Sequence, residues 1–150
     1  MIAQYWEDFA VGQKFASGRA HVDATAIKSF AAQYDPEPFH LDEAAAALNP
    51  LLGGLTASGW HTASLTMRLL VESDFKPAGG IIGLGVDEIR WPRSVRPGDE
   101  LHLETEILGV RPSNSLPSSG LVKVRTTTFN QKNEPVQILV SNLIVPRRAS

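Results

Sequence analysis

Apolar residues follow two rhythms along this chain, a helical one in its first half and a strand-like one in its second. Ile27, Phe30, Ala31 and Tyr34 recur at the spacing of an amphipathic helix over residues 24–34. Asp23 stands where an N-cap carboxylate would accept from the first free amides. Asp42 likewise predicts a cap for a short alanine-rich turn over residues 44–48, which Pro50 ends. A further helix is predicted from Ser58 or Gly59 to about Ser73. Trp60, Ala63, Leu65, Met67, Leu69, Leu70 and Val71 point around most of its circumference, and only Arg68 and Glu72 carry charge. A helix apolar nearly all round is expected to be buried.

Beyond residue 80 the period changes to two. Ile82, Leu84 and Val86 alternate with Ile81, Gly83 and Gly85; Leu101, Leu103, Thr105 and Ile107 alternate with His102, Glu104 and Glu106; Val122, Val124, Thr126 and Thr128 alternate with Lys123, Arg125 and Thr127. These predict half-buried strands. The run from Val136 to Val145 is apolar on both faces, which predicts cover on both sides. Gly83 and Gly85 fall on one face and would admit a close backbone or a ligand. The stretch from Arg111 to Gly120, rich in proline and serine, predicts a long hairpin loop. One buried helix followed by about four antiparallel strands implies an α+β domain, a curved sheet wrapped around a central helix. One helix cannot cover such a sheet, so a homodimer is expected.

Composition narrows the function. The 150 residues fit one domain, 1–150, with 43% hydrophobic and 20% charged residues, which excludes disorder. No apolar run reaches the roughly 18 residues of a membrane span. The start, Met1 to Asp8, lacks the basic-then-apolar pattern of a signal peptide, so a cytoplasmic protein is expected. With no cysteine, disulfides, thiolate zinc sites and a cysteine nucleophile are excluded. A net charge of −2 leaves no basic field for nucleic acid. No His/Asp/Glu cluster has metal-ligand spacing and no glycine loop matches a dinucleotide fingerprint, so no metal and no cofactor are expected. An enzyme or a small-ligand binder remains.

Two segments carry candidate chemistry. In Tyr34-Asp35-Pro36-Glu37-Pro38-Phe39-His40-Leu41-Asp42 the prolines push Asp35 and Glu37 out of the α region. The segment is expected to be stiff and extended, with a carboxylate and an imidazole five residues apart. Such a pair does general acid–base work if both reach one water; taken alone, the stretch is equally a proline-rich helix stop with solvated side chains. In Ala57-Ser58-Gly59-Trp60-His61, a helix starting at Gly59 would present free amides and a positive dipole end to an oxyanion. Taken alone, that is also an ordinary serine cap. His21 and His102 are expected at the surface, His61 in packing or capping, and Trp60 and Trp91 in the core or a pocket wall. Arg68, Arg90, Arg93 and Arg96 are solvated charges or phosphate contacts.

Together these segments resemble the MaoC-like dehydratases, which include the R-specific enoyl-CoA hydratases. The family motif of aspartate, any residue, asparagine, proline, any residue, histidine is matched by Asp35-Pro36-Glu37-Pro38-Phe39-His40 followed by Leu41-Asp42. The family's helix-start glycine is matched by Gly59. Leu84 to Pro92, Val95 to Asp99 and Phe129 to Val136 are similar to later family segments. The resemblance implies a hot-dog fold, a dimer joining two sheets, and an acyl-CoA thioester substrate. It assigns Asp35 and His40 to the catalytic water and the Gly59 amide to the thioester oxygen. Glu37, Ser58 and Trp60 become substrate-side residues. Glu37 replaces the family asparagine and Ser58 a frequent histidine, which touches acyl preference more than reaction class.

The implied reaction is hydration of a 2-enoyl-CoA or dehydration of a 3-hydroxyacyl-CoA. A thioesterase is the alternative on the same fold, but hot-dog thioesterases usually carry a carboxylate on the central helix, and this helix has only Glu72 at its far end. A non-catalytic acyl-CoA binder is the third reading, opposed by the intact Asp35 and His40.

Overall fold

The computed structural model describes residues 2–149; Met1, at the head of the N-terminal stretch considered above, and Ser150 lie outside them. A short 3-10 turn at Trp6–Asp8 precedes two short strands, β1 (Lys14–Ala16) and β2 (Ala20–His21). Then come α1 (Ala24–Tyr34), α2 (Pro38–Leu41), α3 (Glu43–Leu48) and α4 (Gly59–Val71). Four strands complete the chain: β3 (Ile82–Arg90), β4 (Glu100–Pro112), β5 (Ser119–Phe129) and β6 (Pro135–Pro146).

The caps act as the sequence implies. Asp23 Oδ1 accepts from the Ala26 amide at 2.8 Å, and Asp42 Oδ2 from the Ala45 amide at 3.0 Å. Ser58 Oγ accepts from the Trp60 amide at 3.2 Å and opens α4. That helix ends at Val71, two residues before the predicted stop, because Ser73 turns its hydroxyl back to the Leu70 carbonyl.

The sheet is antiparallel, in the order β1-β4-β5-β6-β3, with β2 also pairing to β4. Residues Leu101, Leu103 and Ile107 of β4 and Val122 and Val124 of β5 are buried against Leu69 and Leu70 of α4, making the core. Burying one such aliphatic side chain contributes about 1.5–3 kcal/mol. Threonines continue the inward faces. Thr105 meets Thr126 at 2.9 Å, and Thr66 of α4 meets Thr128 at 2.7 Å, so each buried hydroxyl has a partner.

Several expectations need correction. The central helix is not buried all round: Trp60 is 58% exposed, and Met67 and Val71 are exposed with it. Their spacing puts them on one stripe facing away from the sheet. β3 is an edge strand and not a half-buried one; Ile82, Leu84 and Val86 are all exposed. A register shift between Gly83 and Gly85 pairs them with the successive residues Leu143 and Asn142. They therefore sit on opposite faces, and a Cβ at either would meet nothing within 4 Å. The predicted loop at 111–120 shrinks to residues 113–118, because β4 and β5 run on to Pro112 and from Ser119. His21 is exposed as expected, but His102 is half-buried, its ring stacked on Phe129 at 5.4 Å with Nδ1 buried and unpartnered. Burial, and then the Arg19 charge, lower its pKa from the usual histidine value.

Candidate active site

The segment between α1 and α3 is not extended throughout. Asp35 to Glu37 leave the helical region, then Pro38, with its φ preset, begins the single turn α2. That turn carries His40 back towards Asp35. Nε2 of His40 stands 3.3 Å from Oδ2 of Asp35. Five residues of sequence separation thus become one acid–base pair through a turn that the prolines place.

The pair is fixed from both sides. His40 is buried, and its Nδ1 lies 2.6 Å from the carbonyl oxygen of Thr56. A carbonyl only accepts, so Nδ1 carries the proton and Nε2 is the nitrogen facing Asp35. Ser58 Oγ donates to Asp35 Oδ2 at 2.7 Å while accepting from Trp60 N–H. The residue that caps α4 therefore also holds the carboxylate, tying the aspartate to the helix start.

His40 faces a cavity of about 240 Å³ lined also by Phe39, Thr56, Gly59, Trp91 and Val95 among others, while Asp35 stands behind it and is not in the lining. Gly59 is the first residue of α4, and its N–H has no acceptor among the described residues. Its side-chain-free face is covered by the Trp91 indole: a Cβ there would lie 2.6 Å from Cε2 of that ring. Only glycine admits this contact. Trp91 is held in turn by its Nε1–H, which donates to Gln137 Oε1 at 2.9 Å, and Trp60 meets it edge-on at 5.3 Å. Trp91 is therefore pocket wall, while Trp60 stands exposed outside it.

Not every candidate joins this group. Glu37 is exposed, its side chain makes no hydrogen bond among the described residues, and it is not in the cavity lining. His61 is buried, stacked on Phe30 at 4.8 Å with the rings 7° apart, and its Nδ1 has no partner among the described residues. Burial lowers its pKa from the usual histidine value. Arg68 pairs with Glu72 and Arg90 with Glu88, both in the open. Arg96 is no solvated charge: its guanidinium donates to the carbonyls of Gly54, at 2.8 Å, and Leu52. It pins the loop that leads into Thr56.

Sequence reasoning missed Thr56 and Gln137. Thr56 acts through a backbone carbonyl, which no residue type announces. Gln137 is a polar residue among the apolar positions at the start of β6 and is fully buried, and a polar residue at an inward position was the available signal.

The description "MaoC like domain" belongs to the family model that matches residues 8–129 of this chain. A MaoC-like dehydratase from Rhodospirillum rubrum is 51% identical, with a TM-score of 0.93 over 99% of this chain and 100% of that one. An R-hydratase from Pseudomonas aeruginosa is 28% identical, with a TM-score of 0.75 over 96% of this chain and 86% of that one. The uncharacterized protein YdeM of Bacillus subtilis is 30% identical over 87% of this chain and 90% of its own.

Proposed function

From the premise that this chain belongs to the MaoC-like domain family and has its hot-dog fold, we propose that it hydrates a 2-enoyl-CoA, or dehydrates the 3-hydroxyacyl-CoA, with Asp35 and His40 acting on one water. The observation that carries this reading is the Asp35–His40 pair, 3.3 Å apart, whose histidine lines a cavity together with Gly59.

The chemistry needs three things in one place. A base takes a proton from water as its oxygen bonds to C3 of the enoyl group. A donor stabilises the enolate oxygen that forms as the C2–C3 π electrons move towards the thioester carbonyl. An acid then delivers a proton to C2. Asp35 Oδ2 and His40 Nε2, side by side, both reach toward one substrate water. Thr56 keeps the second histidine nitrogen occupied, so proton traffic is confined to Nε2. The Gly59 amide at the positive end of α4 is in place for the enolate oxygen without reorganisation. Ser58 positions Asp35, and Trp91 closes one side of the thioester slot.

The thioesterase alternative lacks a carboxylate where it would need one. Within Gly59–Val71 there is none, and Glu72 beyond it is exposed and paired with Arg68. The exposed apolar stripe of α4 and the exposed edge strand β3 support a homodimer in which a second copy covers both. Among the described residues, no helix is long and apolar enough to cross a membrane.

A panel of enoyl-CoA and saturated acyl-CoA substrates tests the reading. Enoyl absorbance should fall with no free thiol released. Thiol release on saturated acyl-CoAs would establish a thioesterase, and binding without turnover of any member would establish a binder.

A further inference from the structure

A second recess of about 260 Å³ adjoins the catalytic cavity, between the Arg93–Asp99 segment and the β5–β6 turn. Arg93 and Ser94 line both hollows, so the two are immediate neighbours. The recess is polar and carries more cation than anion: Arg93, Arg96 and Lys132 against Asp99 and Glu134.

Both carboxylates are already engaged. Asp99 accepts from Gln131 Nε2 at 3.0 Å and from the Arg96 amide at 2.9 Å. Glu134 accepts from Asn130 Nδ2 at 2.9 Å and pairs with Arg93 Nη2 at 3.4 Å. Lys132 has no carboxylate within 4.0 Å among the described residues. The turn that presents it is stiff, because Asn130 Oδ1 accepts from the amides of Lys132, at 2.9 Å, and Glu134, at 3.1 Å. An ammonium on a stiff turn and a guanidinium balanced by one carboxylate thus line the recess beside the cavity.

Resting on the acyl-thioester reading above, we propose that Arg93 and Lys132 bind a phosphate of the pantetheine arm that carries the acyl group. With the thioester at Gly59, the arm leaves past Arg93, and its phosphate belongs in a basic recess outside the cavity. Arg93 offers a planar donor pair and Lys132 a point charge, the two ways side chains hold phosphate. Glu134 neutralises Arg93 when the recess is empty and competes with the phosphate when it fills.

Calorimetric binding of free CoA, 4′-phosphopantetheine and phosphate-free pantetheine tests this. Lys132→Ala and Arg93→Ala should each weaken CoA about five- to tenfold, less so in about 0.5 M salt. Glu134→Gln, which keeps the oxygen that Asn130 bonds but removes the charge, should tighten CoA; a merely structural glutamate would do the opposite. Lys14→Ala, remote on β1, should change nothing. The same loss on 4′-phosphopantetheine supports the proposal, that phosphate being common to CoA and a carrier protein; a loss confined to CoA would place the contact on its nucleotide phosphates and overturn it. The proposal is overturned if neither alanine variant moves the CoA affinity, if pantetheine loses as much as CoA, or if the wild type binds none of the three. Because free carrier is measured, a protein that binds CoA this way yet hydrates nothing would remove the hydratase reading alone. A hydratase indifferent to both variants would remove this proposal alone.

Discussion

Replacing Ser58 by alanine removes one hydroxyl that does two jobs, and its cost can be worked from each. The bond to Asp35 is 2.7 Å long and made by a fully buried serine. A hydrogen bond to a charged group is worth about 1.5–3 kcal/mol. The Asp35 side chain keeps 26% exposure, so water replaces part of the loss and the lower end applies, about 1.5 kcal/mol. The cap on Trp60 N–H adds about 1 kcal/mol. Together, about 2.5 kcal/mol should lower the melting temperature of a domain this size by roughly 5–10 °C. Turnover should fall about tenfold, because Asp35 is then free to swing from His40. Ser58→Gly separates the two jobs, since glycine at an N-cap costs only a few tenths of a kcal/mol. It should recover about 1 kcal/mol of stability and none of the turnover. Thermal melts and initial hydration rates of the three proteins suffice. A Ser58→Ala protein with wild-type turnover would mean Asp35 is not held through Ser58.

Three further outcomes follow from the same geometry. Any side chain at position 59, proline included, runs into Trp91, so the Gly59 amide must be tested in a Trp91→Leu background, where Gly59→Pro should turn over about 10²–10³-fold slower than Gly59→Ala; equal rates would place the oxyanion elsewhere. Glu37→Asn should leave the pH–rate profile and substrate preference unchanged, since Glu37 is exposed and outside the cavity lining; a shifted profile would show that it reaches the site. Burial disfavours the charged form of His61, so its folded pKa lies below the unfolded value, and the stability it leaves intact above that value is lost as pH falls through the unfolded and then the folded pKa. Melts at pH 8 and at about pH 5.5 should therefore differ less for His61→Phe, which keeps the Phe30 stack, than for the wild type; equal differences would show that His61 does not carry the acid sensitivity.

What was legible in the sequence was what local chemistry dictates. Asp23, Asp42 and Ser58 announced their helices because capping depends on one side chain and its nearest amides. The alternation in β4 and β5 gave their inward faces because both are interior strands. β3 misled because it is an edge strand: its apolar residues look core-bound but have no cover within the chain, and its bulges shift the alternation. At the site, Asp35, His40 and Gly59 were singled out by the family resemblance and not by local spacing, and the approach of His40 to Asp35 depends on the turn Pro38–Leu41 folding back. Trp91 over Gly59 and the Arg96 staple depend on contacts between segments more than thirty residues apart, which no local pattern encodes.

The central claim is that Asp35 and His40 work as one unit on one water, and a double-mutant cycle on enoyl-CoA hydration tests it most directly. Asp35→Asn and His40→Ala should each lower turnover by about 10²–10⁴. The double variant should be little slower than the slower single one, because removing either partner already abolishes the shared function. Losses that multiply in the double variant, or a single variant with near-normal turnover, would contradict a shared water.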